Sequence, residues 1–149
     1  TLDGAVVKVL IGTAFGQTSP VRTYMPTLYL DVALQAGREL RLEDLPAEAA
    51  IYPISGEVLV DGVALLPHTM ALLEEGKAPV VTAGCGPVQF VVIGGEPLDG
   101  HRYLFWNFVS SSKERLSQAA DDWSAQRMGQ VPGETEFIPL PKAPLRPPA

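Results

Sequence analysis

Residues 49–62, AAIYPISGEVLVDG, decide how the rest of this chain is read. Two β-type runs, AAIYPIS and EVLV, are broken apart by Gly56 and stopped by Asp61-Gly62. A tight Asp-Gly turn needs positive backbone angles that these residue types adopt readily, so the stretch carries a strong hairpin signal. Working outward from it, the flanking segments read as strands too.

Upstream, residues 5–11 (AVVKVLI) form a β-branched run and the first strand. Residues 12–26 read as a loop, with turn chemistry at Gly16, Ser19-Pro20 and Pro26. Leu28, Leu30, Val32 and Leu34 then alternate with Tyr29, Asp31 and Ala33, the period-two pattern of a strand with one buried face. Ala36-Gly37 turns the chain, residues 38–42 alternate again, and residues 43–48 make a short polar connection. Downstream, residues 63–66, 69–73, 79–82 and 88–93 are short runs separated by Gly, Pro or acidic turn residues, and 103–108 reads as a last strand. Many short strands at near-regular spacing predict an all-β sandwich or barrel.

After residue 110 the period changes. Ser111-Ser112-Lys113-Glu114 fits a capping box, in which a serine oxygen accepts from a backbone N–H and Glu114 reaches back. Leu116, Ala119, Ala120 and Trp123 fall on one face of a helix over about 112–128, with Gly129 as its left-handed stop. Leu116 and Trp123 are expected to dock on the outside of the barrel. Residues 130–149 hold six of the 14 prolines and are expected to be extended, polyproline-like or disordered. Within them Phe137-Ile138-Pro139-Leu140 is apolar enough to dock, on this domain or on a partner. The expected organisation is one domain over 1–129 followed by a Pro-rich tail, 130–149.

A chain of 149 residues buries roughly 70% of its unfolded surface, enough for a full core without disulfides. The single cysteine, Cys85, allows no internal disulfide and no thiolate cluster, so a cytoplasmic setting is expected. Net charge is −6, from 11 basic and 17 acidic residues, with no block of five like charges. Nucleic acid and anionic membranes both call for clustered Lys and Arg, so neither is expected as a partner. The uncharged stretch 78–95 is interrupted by Pro79, Pro87 and several glycines, and reads as two buried strands and a turn rather than a membrane span. Residue 1 is Thr, and the chain is expected to be a piece of something longer.

Catalytic chemistry is scarce. The two histidines, His68 and His101, are not at H-x-H spacing, and one chain with two imidazoles cannot supply a three-histidine metal site. Glu57 and Asp61 give such a site no clear help. Cys85 lacks a cationic neighbour in sequence that would depress its pKa. Gly94-Gly95-Glu96-Pro97 reads as a strand-ending turn, since no Lys-Ser/Thr follows it. Pro141, Pro144 and Pro147 have P-x-x-P spacing near Arg146, a match that a Pro-rich tail produces easily. Trp106, Phe108 and Trp123 line either a ligand pocket or, more commonly for aromatics at such spacing, a core.

Tyr52, Gly56, Glu57 and Val60, followed by the Asp61-Gly62 turn, resemble the central hairpin of a cupin barrel. Where metal-binding cupins carry His and Glu ligands, this chain has Ala47, Ala49, Ala50 and Ile51. Four segments in order, SPVRTYMPTLYLDV (19–32), residues 52–62, GGEPL (94–98) and WNFVSSSKERL (106–116), resemble the C-terminal half of the pirin family of bicupins. The resemblance implies a cupin-type jelly roll with one C-terminal helix. It also implies an N-terminal cupin that holds iron or another divalent metal with three His and one Glu, a site at which some bacterial members oxidise quercetin. The C-terminal cupin of that family lacks those ligands, so no catalytic residue carries over and no cofactor is expected in this chain. The expected function is a metal-free half that packs against and stabilises the N-terminal cupin, with a homo-oligomer through the face that half would cover. The alternatives are a module binding a small molecule or a regulatory protein, and, less favoured, an autonomous metal-dependent dioxygenase. For the binding reading, the candidate pocket or interface residues are His68, Trp106, Phe108, Phe137, Ile138 and Leu140.

Overall fold

The structure, a computed structural model, describes residues 4–142. It divides into two units, Thr1–Pro97 and Leu98–Ala149.

In the first unit the strands are β1 (Ala5–Ile11), β2 (Thr13–Ala14), β3 (Gln17–Thr18), β4 (Thr27–Leu34), β5 (Glu39–Arg41), β6 (Glu48–Ser55), β7 (Val58–Val60), β8 (Val63–Leu65), β9 (Ala71–Leu73), β10 (Val80–Ala83) and β11 (Val88–Gly95). A five-stranded sheet has the order β1-β4-β11-β6-β9 and a four-stranded sheet the order β5-β10-β7-β8. From β4 onward the chain passes from one sheet to the other at every connection except the β7–β8 hairpin, which is jelly-roll winding. All pairs are antiparallel. Residues 12–26 are more ordered than their turn-rich composition predicts. Phe15 and Gly16, with φ of 51° and 70°, close a small hairpin between β2 and β3, too short to leave a period in the sequence.

The deciding stretch folds with one difference from its simplest reading. AAIYPIS (β6) and EVLV (β7) do not pair, because they lie in different sheets. Gly56 is the corner between them; at its φ of 79° a Cβ would stand 2.7 Å from Val88 Cγ1 and 2.8 Å from the Pro87 carbonyl oxygen. The Asp61-Gly62 turn closes the hairpin with β8, pairing Val60 with Val63. Pro53 is tolerated inside β6 because β9 has already ended, its last pair being Ile51 with Ala71. The Pro53 carbonyl accepts from the His68 N–H at 2.9 Å, so its missing N–H faces that same open side.

The core follows from period-two alternation. Leu28, Leu30, Val32 and Leu34 of β4 face inward and pair in register with Gly94, Val92, Phe90 and Val88 of β11. Ile51 of β6 joins them from the same sheet, and Leu40, Val58, Val81 and Ala83 close the core from the other. On the outer face Asp31 receives hydrogen bonds from Gln89 Nε2 (2.9 Å) and Lys8 Nζ (3.2 Å), tying β4 to both its neighbours. The Gln89 bond, then Lys8, holds the Asp31 carboxyl below its usual value, against the opposing effect of partial burial.

In the second unit, residues 103–108 are not the single strand expected. They turn at Trp106-Asn107, giving β12 (Tyr103–Phe105) and β13 (Phe108–Ser110). No glycine marks this turn; Trp106 itself adopts a left-handed φ of 54° while its ring packs edge-on against Phe108 and Trp123. The helix, α1, spans Lys113–Ser124. Ser112 is its N-cap, accepting from the Arg115 N–H, but Glu114 takes the Ser112 hydroxyl proton rather than a backbone donor, so the capping box is incomplete. The helix also stops before Gly129. Gln126 takes the left-handed position (φ 55°), its N–H bonds the Trp123 carbonyl and the Arg127 N–H bonds the Asp122 carbonyl, the Schellman arrangement. Arg127 further grips the Asp122 side chain, bonding it through Nε at 2.8 Å. Among the described residues no helix is long and apolar enough to cross a membrane.

Truncating Phe90, which is fully buried, to Ala should cost about 3–5 kcal/mol, whereas Ile93→Ala on the half-exposed outer face should cost clearly less; urea denaturation of both variants checks the ordering. Asp31, with its folded pKa depressed, stabilises the native state above its unfolded pKa of about 3.9 and ceases to as pH falls through the folded value. Asp31→Asn should therefore lower stability by less than about 1 kcal/mol at pH 7, and the gap to wild type should narrow in unfolding curves taken at successively lower pH as the carboxylate protonates.

Candidate functional site

Two places were open to function: the interior of the jelly roll and the aromatic residues of the C-terminal unit. The interior is the position where the cupin resemblance puts metal ligands. Ile51 of β6 is buried in that core; Ala49 and Ala50 are buried on the same strand, Ala50 on the outer face opposite Ile93, and Ala47 is half-buried just before the strand. The space is closed by Leu30, Val32, Val58, Val81, Phe90 and Val92, none of which carries a lone pair to offer a cation. Among the described residues no polar or charged side chain is buried. None of their His, Cys, Asp or Glu side chains gather in a group of three able to hold a metal ion. A divalent metal does not fit this donor set.

The two histidines and Asp61 have structural partners. His68 is exposed, sits in the left-handed region at φ 63°, and places Nδ1 3.3 Å from the Tyr52 hydroxyl. His101 packs edge-on against Tyr103 in the second unit. Asp61 accepts from the Val80 N–H at 2.8 Å, a bond that ties the β7–β8 turn to β10. Cys85 is exposed in the turn between β10 and β11. Gly94 and Gly95 end β11, and a Cβ at Gly94 would lie 2.6 Å from the Glu48 carbonyl oxygen, so close backbone packing accounts for the glycine there. Of the P-x-x-P residues, Pro144, Arg146 and Pro147 lie outside the described residues.

The aromatic residues do gather. Trp123 is their centre: its ring stands 5.1 Å from Trp106 and 6.5 Å from Phe108, both tilted edge-on, and 5.7 Å from Phe137 in a stacked arrangement at 28°. Its indole Nε1–H donates to the Ile138 carbonyl at 2.8 Å. The chain reaches this point through a turn organised by Glu134, whose carboxylate accepts from the Thr135 and Glu136 N–H groups, both at 2.8 Å. Those two bonds, Glu136 first, keep the Glu134 carboxyl below its usual pKa. Between helix end and tail lies an open groove of about 730 Å³, lined by Trp123, Met128, Val131, Phe137 and Ile138 with Gln126 and Glu134 on its polar side.

Of the residues singled out from sequence, Trp106, Phe108, Phe137 and Ile138 thus belong to one cluster or its immediate backbone, and Leu140 is half-buried just beyond. His68 belongs to the other unit. Glu134 and Gln126 carry no sequence signal beyond the Gly129 and Gly133 turns on either side of the loop, because their roles depend on backbone groups they meet only after folding.

Comparison with known proteins accords with this geometry. The sequence profile described as the Pirin C-terminal cupin domain matches residues 29–129. A pirin-like protein of Caulobacter vibrioides is 40% identical over 141 residues, covering 93% of this chain and 48% of the relative. Human pirin is 36% identical over 135 residues, covering 85% and 46%. The crystal structure of quercetin 2,3-dioxygenase from Acinetobacter baumannii superposes with a TM-score of 0.85 at 26% identity, covering 99% of this chain and 51% of that one. The chain therefore spans about half the length of the relatives it matches, and it belongs to the pirin C-terminal cupin domain family.

Proposed function

We propose that this chain is the non-catalytic, metal-free C-terminal cupin half of a pirin-like protein, extending over 1–129 with 130–149 as an appended tail. Its work is to pack against an N-terminal cupin, cover that domain's metal site and stabilise the whole. The observation that carries the reading is the interior of the jelly roll, where Ile51, Phe90 and Val92 occupy the space a ligand set needs. Because the chain matches only about half of each relative, a second domain of similar size is available to hold iron or another divalent metal. The likeness to a quercetin 2,3-dioxygenase supports an oxygenase-type reaction on a flavonol-like substrate in that other half. An autonomous dioxygenase is disfavoured, since a mononuclear centre needs several imidazoles and a carboxylate converging on one ion. We place the protein in the cytoplasm on its cysteine usage.

A second reading, a module that binds a small molecule or a regulatory protein, is favoured by the aromatic cluster around Trp123 and the groove beside it.

Elemental analysis of the chain purified without a His-tag should return less than about a tenth of an equivalent of iron, nickel or copper, whereas a value near one equivalent would overturn the metal-free assignment. Co-expression with the N-terminal half should raise that half's melting temperature and activity; an N-terminal half equally stable and active alone would remove the stabilising role. Alone, with its partner face bare, the chain should run as a homo-oligomer in light scattering, and a sharp monomer mass would count against that face.

A further inference from the structure

The C-terminal unit contains a contact that the role of a scaffold half does not use. Phe137-Ile138-Pro139-Leu140 lies on the surface of the unit as an extended segment, seated on Trp123 by one ring stack and one hydrogen bond from the indole to a main-chain carbonyl. An aromatic platform with a single N–H donor reading a peptide carbonyl, next to a proline that pre-orders the backbone, is the chemistry of Pro-containing peptide recognition. The segment is only lightly held. Phe137 is 37% exposed and Ile138 63% exposed, so much of their apolar surface never leaves water. Across the groove, Met128 at 46% and Val131 at 70% leave further apolar surface uncovered.

The connection permits release. Between the helix end and the segment lie Gly129 (φ 92°) and Gly133 (φ 79°), with no helix or strand among residues 126–142. The intervening turn is closed by Glu134 binding its own next two amides, bonds that do not involve the Phe137 side chain. The aromatic cluster behind the segment is complete without it: Trp106, Phe108 and Trp123 contact one another, held by the β12–β13 turn and the helix.

We propose that the Trp123 platform is a recognition site for an extended peptide of the form aromatic–aliphatic–Pro–aliphatic, and that residues 137–140 are its built-in competitor. A tethered segment sits at millimolar effective concentration, so it masks the site from weak or dilute partners and yields to a peptide that also fills the groove toward Met128 and Val131. The template on the page sets the partner's chemistry: a ring to stack on Trp123, a carbonyl one residue later for Nε1, and a proline after that.

The test uses the full chain. In Phe137→Ala/Ile138→Ala, which removes the competitor and leaves Trp106, Phe108 and Trp123 in place, a synthetic peptide of residues 134–142, ETEFIPLPK, should bind at least tenfold more tightly than it binds wild type, read by tryptophan fluorescence and calorimetry. The peptide ETEAIPLPK should lose that binding. Equal affinity for both chains, equal affinity of both peptides, or no binding to the variant each overturns the proposal. Should the variant not fold, hydrogen exchange on wild type decides at the donor that the segment covers: a Trp123 indole Nε1–H exchanging at least a hundredfold faster than the helix amides of residues 117–124 supports a detachable segment, and equal protection overturns it.

Discussion

The structure of the first unit depends on the register between β4 and β11. Placing Leu30 opposite Val92 and Val32 opposite Phe90 sends four branched or aromatic side chains to the same side at adjacent positions. A shift of one residue would send the whole set to the outer face and bring Tyr29, Asp31 and Gln89 inside, where their polar groups would be buried without partners. Instead those polar groups find one another on the outside, where Asp31 bridges Gln89 and Lys8. The same register bears on function: with Phe90, Ile51 and Val92 packed at the centre, hydrocarbon fills the volume from which a cupin's metal ligands project.

Alternation and helical spacing were legible because they are local. Leu28 to Leu34 could be assigned to a buried face from seven residues, and the Leu116–Trp123 stripe from eight. Sheet membership was not legible in this way. Nothing in EVLV says that it pairs with β10 rather than with the AAIYPIS run preceding it, since that choice is made by contacts with residues about twenty positions later. Gly56 did signal a break, yet a glycine marks a hairpin turn and a corner between sheets with the same letter.

Misplaced ends have a shared cause as well. A left-handed residue is needed at the helix C-terminus and at the β12–β13 turn; Gly129 was the expected occupant of the first, and no turn was expected at the second. Gln126 and Trp106 take those positions instead. Each has a compensation visible only in three dimensions: the Arg127–Asp122 pairing and two capping bonds at the helix end, and ring contacts with Phe108 and Trp123 at the turn. The aromatic cluster was readable as a set of residues, but not as a cluster. Trp123 reaches Phe137 across a fourteen-residue interval that contains no periodic pattern at all.

The two margins of the five-stranded sheet carry a further consequence. An open strand edge is a template on which another chain can zip, and short or charged edges resist this. One margin, β9, offers three residues. The other, β1, is seven residues long but places the ammonium of Lys8 at its midpoint, well exposed beside Asp31. Both margins therefore disfavour runaway strand addition.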